Sequence, residues 1–107
     1  AGSSMGGWVC AKTSSDTPVL GCFILAPALA MARYPQSSPI IRARHCQIIH
    51  GWKDDVVPVA PVFDLAREQG LPILVLPDGH RLENSLDRVV SEFRGFLQTC
   101  LSDMNQP

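Results

Sequence analysis

The stretch Val19–Leu25, VLGCFIL, is apolar at every position. A strand with one wet face alternates polar and apolar residues, whereas an unbroken run of this length suits a strand covered on both faces of a parallel sheet. Two more short runs follow. CQII at Cys46–Ile49 ends in His50-Gly51, and PILVL at Pro72–Leu76 ends in Pro77-Asp78-Gly79. Helical patterns separate these runs, so the chain is expected to be α/β: a parallel sheet whose right-handed crossovers put helices on both faces.

The helices are read from periodicity and end signals. Met5 to about Thr13 forms a short helix. Pro61–Gln69 has Pro in its first turn and Gly70 just beyond its end, the expected start and stop. From Ser85 to Leu101, the residues Leu86, Val89, Val90, Phe93, Phe96, Leu97 and Cys100 recur at helical spacing, with Asn84 or Ser85 as N-cap. Ala26–Arg44 holds Pro27, Pro35 and Pro39 without a clean period. It is expected to be an excursion with at most one helical turn.

Bulk properties exclude several classes. With 107 residues and a net charge of −1, the chain is a single unit with no basic footprint for nucleic acid. No apolar run reaches the roughly 18 residues that a membrane span needs, so no membrane partner is expected. Cys10, Cys22, Cys46 and Cys100 form no C-x-x-C pair and are read as buried free thiols, which favours a reducing, cytoplasmic setting. His45, His50 and His80 are too scattered for a metal cluster. Neither a metal nor an organic cofactor is expected.

Ligand sites in open parallel sheets lie outside the carboxyl ends of the strands. Three such ends are legible. The first carries Gly2-Ser3-Ser4-Met5-Gly6, a G-x-S-x-G pattern with Ser4 flanked two residues away by Gly2 and Gly6, both of which are expected to lack side chains because such a turn is tight and strained. The second reads HGWKDDVVP at 50–58 and the third PDGHRL at 77–82. Each is an ordinary turn on its own. Together they bring a serine, an aspartate and a histidine to one edge, the set that acyl transfer requires.

On GSSMGG at 2–7, HGWKDDVVP at 50–58 and DGHRL at 78–82, the chain resembles the C-terminal half of the α/β-hydrolase superfamily, from the nucleophile elbow (2–6) onward. The likeness is nearest to compact, esterase-like serine hydrolases, and weakest in the excursion at 26–44. The resemblance implies a three-layer α-β-α partial domain over residues 1–107 that cleaves a small ester, thioester or amide. Ser4 would be the nucleophile, His80 the base and Asp54, in a G-x-x-D-x-V-V-P loop at 50–58, the acid; Asp55 and Asp78 are the rival acids. The backbone N–H of Met5 would serve the oxyanion. Trp8, Met31 and Tyr34 would either line a substrate pocket or simply pack.

The same resemblance places the elbow strand at a sheet centre. Only Ala1 stands before the elbow, so Val19–Leu25 is expected to show an open apolar edge, a known aggregation hazard. The N-terminal half of the fold, on the same or a separate chain, is therefore an expected partner beside a small ester-like substrate. A non-catalytic subunit of the same fold, binding a ligand or a protein, is the alternative function.

Overall fold

The computed structural model describes residues 1–105. Its elements are β1 (Gly2–Ser3), α1 (Met5–Asp16), β2 (Val19–Leu25), β3 (Ala43–Gly51), α2 (Val59–Gln69), β4 (Ile73–Leu76), a 3-10 turn (Glu83–Ser85) and α3 (Leu86–Met104). The four strands form one sheet in the order β1-β2-β3-β4, every neighbour parallel.

Alternation along the strands divides the apolar residues between two cores. Cys22, Ile24 and Ile48 point to the face covered by Ala11 of α1 and by Val62, Leu65 and Ala66 of α2. Phe23, Ile49 and Leu76 point to the opposite face, where Val89, Phe93 and Phe96 of α3 close over them. The continuous apolar run of β2 is thus explained: consecutive residues serve different cores. Phe23 meets Phe93 edge-on with ring centroids 4.9 Å apart, a favoured aromatic geometry.

Several element bounds differ from those expected. α1 continues past Thr13 to Asp16. α2 begins at Val59, so Pro61 stands inside its first turn. β3 begins at Ala43 rather than Cys46, which takes the last two residues of the expected excursion into the sheet. That early start is set by pairing, because Val19 of β2 lies opposite Ala43 in the register. α3 runs past Leu101, where Asp103 accepts from Nε2 of His45 at 2.8 Å and pairs with Nε of Arg44 at 3.1 Å.

The excursion is held by side chains rather than by regular structure. The amide of Arg42 donates to Oγ of the buried Ser14 at 3.2 Å, and Ser14 in turn donates to the Ala11 carbonyl. Gln69 accepts from the amide of Ile41 and donates to the Pro39 carbonyl, both at 3.0 Å. Trp8 stacks on Tyr34 at 5.1 Å and donates its indole N–H to the Gln36 carbonyl. Met31 joins both aromatics in packing against the first core. Packing is therefore the role in which these three residues are found.

β1 pairs with β2 only at Gly2–Ile24 and Ser3–Leu25. It is thus a strand, where the sequence suggested that only Ala1 remained of one. Below it, Val19–Phe23 has no strand on that side among the described residues. Two apolar grooves flank this edge. One, of about 370 Å³, is lined by Gly2, Phe23, Leu25, Val89, Val90 and Phe93, and the other, of about 180 Å³, includes Val9, Cys10, Val19 and Cys22.

Candidate active site

The site is built where β1, β3 and β4 end. Ser4 sits between β1 and α1 with φ 55° and ψ −118°, a conformation that a non-glycine residue holds only when its surroundings impose it. Those surroundings are visible. The Ser4 amide donates to Leu25 O at 2.9 Å, and the Ser4 carbonyl accepts from the amides of Gly7, Trp8 and Ala28. A side chain on Gly2 would run into the Gly6 carbonyl and Cys10 Sγ, so that glycine is required by close approach.

Gly6 is different. A Cβ there would meet nothing within 4 Å, whereas at Gly7 it would lie 2.7 Å from Pro27. The expectation that both glycines of the G-x-S-x-G pattern are sterically required is corrected: Gly2 and Gly7 are the constrained positions. The reason is that Gly7 faces the loop after β2, which comes close to α1 only in the folded chain.

Asp54 lies in the loop after β3 and His80 in the loop after β4. Nδ1 of His80 is 2.8 Å from Oδ2 of Asp54, and Nε2 of His80 is 3.1 Å from Oγ of Ser4. Residues 76 positions apart in the chain are thereby brought within hydrogen-bond reach. A carboxylate only accepts, so Nδ1 carries the proton and Nε2 is left to accept from the Ser4 hydroxyl. The side chain of Asp54 is fully buried and that of His80 is 21% exposed.

Asp54 is fixed on every side. Its Oδ1 accepts from the amides of Val56 and Val57 at 2.9 and 2.7 Å. Burial pushes its pKa up, but the His80 bond and the two amides outweigh burial, and the carboxyl ends below its ordinary value. The rival Asp55 is exposed and makes no part of this arrangement.

Asp78, the other rival, holds the histidine loop instead. It accepts from the Gly79 amide at 2.7 Å, the Asn84 amide at 2.9 Å and the Ser85 hydroxyl at 2.8 Å. Leu82 completes that loop. It takes φ 53° yet is only 2% exposed, buried in the α3-side core. The left-handed conformation costs roughly 1 kcal/mol, and burying a leucine returns about 1.5–3 kcal/mol, so packing wins. Neither role is announced by a motif, although an Asp immediately before a turn glycine is a signal for the first.

His50 is the residue that sequence reasoning missed. It is fully buried at the end of β3, with Nε2 2.8 Å from the Val57 carbonyl and 3.2 Å from Oδ2 of Asp54. Its place four residues before Asp54 was the available sign. Met5 opens α1, so its N–H belongs to the first turn, where helix amides lack intrahelical acceptors.

The four cysteines are free; Cys22 and Cys100 are buried, but Cys10 and Cys46 are only partly so, which corrects the expectation of four buried thiols. No helix among the described residues is long and apolar enough to cross a membrane.

No protein-family model matches the sequence, and no curated protein matches it. Among solved structures, the chain is similar to one from Xanthomonas campestris pv. campestris titled a "putative hydrolase of the alpha/beta superfamily". The two share 29% identity over 92% of this chain with a TM-score of 0.79. The match covers 56% of that protein's length.

Proposed function

We infer that this chain, which carries the α/β-hydrolase fold, is the triad-bearing part of an esterase-like serine hydrolase. The observation that carries the reading is the relay from Ser4 Oγ through His80 to Asp54, at 3.1 and 2.8 Å. Ser4 Oγ attacks the carbonyl carbon of a small ester, thioester or amide while its proton passes to Nε2 of His80. The tetrahedral intermediate collapses, the bond to the leaving group breaks, and His80 returns the proton to that group. Water then repeats the sequence on the acyl-enzyme. Asp54 keeps the imidazole in the Nδ1–H tautomer and stabilises its charged form.

In this reading the Met5 N–H, at the positive end of α1, donates to the developing oxyanion. A single donor of this kind is worth about 2.7–4 kcal/mol; the second donor belongs to the remainder of the fold. The open side of β2, the two apolar grooves beside it and the 56% coverage of the similar structure support a partner of one kind. It is the N-terminal half of the same fold, on this or a separate chain. Four unpaired thiols favour a reducing, cytoplasmic setting.

The test is covalent labelling of the complete protein by a fluorophosphonate. Labelling of wild type that disappears in Ser4→Ala is expected. Labelling that persists in Ser4→Ala removes Ser4 as nucleophile, and a wild type inert to every acyl probe favours the non-catalytic, ligand- or protein-binding alternative.

A further inference from the structure

The relay uses one face of the Asp54 carboxylate, and a second imidazole also reaches it. A carbonyl only accepts, so the 2.8 Å contact between His50 Nε2 and Val57 O places the proton of His50 on Nε2. The same nitrogen is 3.2 Å from Oδ2 of Asp54, the oxygen that receives the Nδ1–H of His80. Oδ1 is already taken by two amides. The carboxylate is thus held by two backbone amides on one oxygen and by the His80 N–H on the other, with Nε2 of His50 3.2 Å from that second oxygen.

The opposite nitrogen of His50, Nδ1, is buried without a hydrogen-bond partner. Leaving a buried acceptor unpaired is unfavourable, and a ring serving only as a cap for Val57 gives no return for it. Burial holds the pKa of His50 below its ordinary value, against the Val57 carbonyl and the Asp54 charge, which raise it, while His80 lowers it further. The ring is therefore neutral at neutral pH and acts as a fixed dipole rather than as a charge.

We propose that His50 is a positioning residue: its Nε2–H shares Oδ2 of Asp54 with His80, fixing the carboxylate's rotation and limiting how strongly it draws on the Nδ1 proton. Without that donor, Oδ2 turns wholly to His80. The charged imidazole is then favoured, so less of the free base exists at a given pH, and the carboxylate is free to rotate. The inference rests on the Ser4–His80–Asp54 reading given above.

Two variants separate the donor from the ring. In His50→Gln the side-chain amide reaches the Nε2 position; in His50→Asn it reaches only the Nδ1 position. For the complete hydrolase, kcat and KM on a p-nitrophenyl ester and the fluorophosphonate labelling rate of Ser4 are measured across pH. His50→Gln is expected within about threefold of wild type, with the acid limb in place. His50→Asn is expected to lose roughly tenfold or more in kcat with KM little changed, the scale of a hydrogen bond to a charged acceptor, and its acid limb moves to higher pH. An Asn variant equal to wild type overturns the proposal, as does a folded Gln variant that loses as much as Asn. If the Asn variant does not fold, the folded Gln variant decides alone: a wild-type acid limb and kcat support the role, and a displaced limb overturns it. A wild type that fails to label at Ser4 overturns both readings, whereas normal labelling with a pH profile indifferent to His50 removes only this one.

Discussion

The amide of Lys53 donates to the carbonyl of Asp78 at 3.0 Å, tying the loop that carries Asp54 to the loop that carries His80. Beside it, the Trp52 amide donates to Leu76 O at 2.9 Å. The two loops therefore behave as one backbone unit, and the Asp54–His80 distance is set before either side chain is considered. Gly51 makes this approach possible, because a Cβ there would collide with the carbonyls of Asp78 and Gly79.

Gly51→Ala is accordingly expected to push the loops apart. Overpacking against backbone of this kind typically costs about 1–3 kcal/mol, and turnover should fall by at least about tenfold because positioning is lost. Denaturant midpoints and kcat/KM measured on the same preparation check it. Wild-type values for both would show that the loops have slack.

Asp78→Ala removes the acceptor for Gly79, Asn84 and Ser85 without touching Ser4, His80 or Asp54. Turnover should drop while KM changes little, since the histidine loop loses its anchor and the substrate surface does not. Asp78→Asn keeps one acceptor oxygen and is expected to lie between. A wild-type kcat in Asp78→Ala would mean that Leu82 alone holds the loop.

Asp54 links stability to pH. Its folded pKa lies below the ordinary value despite burial, owing to His80 and the amides of Val57 and Val56. A depressed carboxyl contributes stability that is present above the unfolded pKa, near 3.9, and that is lost as pH falls through the folded pKa. The stability advantage of wild type over Asp54→Asn should be greatest near neutral pH and shrink below about pH 4. Comparing the two proteins cancels Asp78, which is depressed in the same direction. In turnover, Asp54→Asn is expected to lose on the order of 10⁴-fold, the loss seen when the base is held in the wrong tautomer.

Ile24 and Ile48 are both fully buried and face each other in the β2–β3 register. Either change to Ala should cost about 2–5 kcal/mol. The double mutant should depart from additivity by roughly 0.5–3 kcal/mol, because the two cavities merge. Strict additivity in a denaturant titration would place the side chains in separate environments.

The open side of β2 predicts behaviour of the chain by itself. Residues 1–107 expressed alone are expected to aggregate and to hydrolyse esters poorly, and the proposed N-terminal partner supplied in trans should improve both. A monodisperse, fully active 1–107 would contradict the proposed partner.

Much of this architecture is local and therefore legible. The apolar run of β2 has the same bounds, Val19–Leu25, in sequence and structure, because a strand covered on both faces has no polar position to blur its ends. Gly70 ends α2 in the left-handed conformation (φ 67°), as a glycine after an amphipathic run suggests. Ser4, Asp54 and His80 stand out in sequence because each lies in a turn at a strand end. The resemblance favours Asp54 over Asp55; Asp54 is buried and Asp55 exposed.

What tertiary structure alone decided is non-local. The early start of β3 at Ala43 depends on Val19 across the sheet. The glycine that must stay small is Gly7 rather than Gly6 because Pro27 arrives from another loop. In sequence His50 is one of three scattered histidines, and only the folding of the acid loop brings its Nε2 within 3.2 Å of Asp54. Periodicity and turn chemistry act over a few residues and leave a pattern in the sequence. Close approach and shared hydrogen-bond acceptors are made between segments far apart in the chain, so they exist only once the sheet has set the distances.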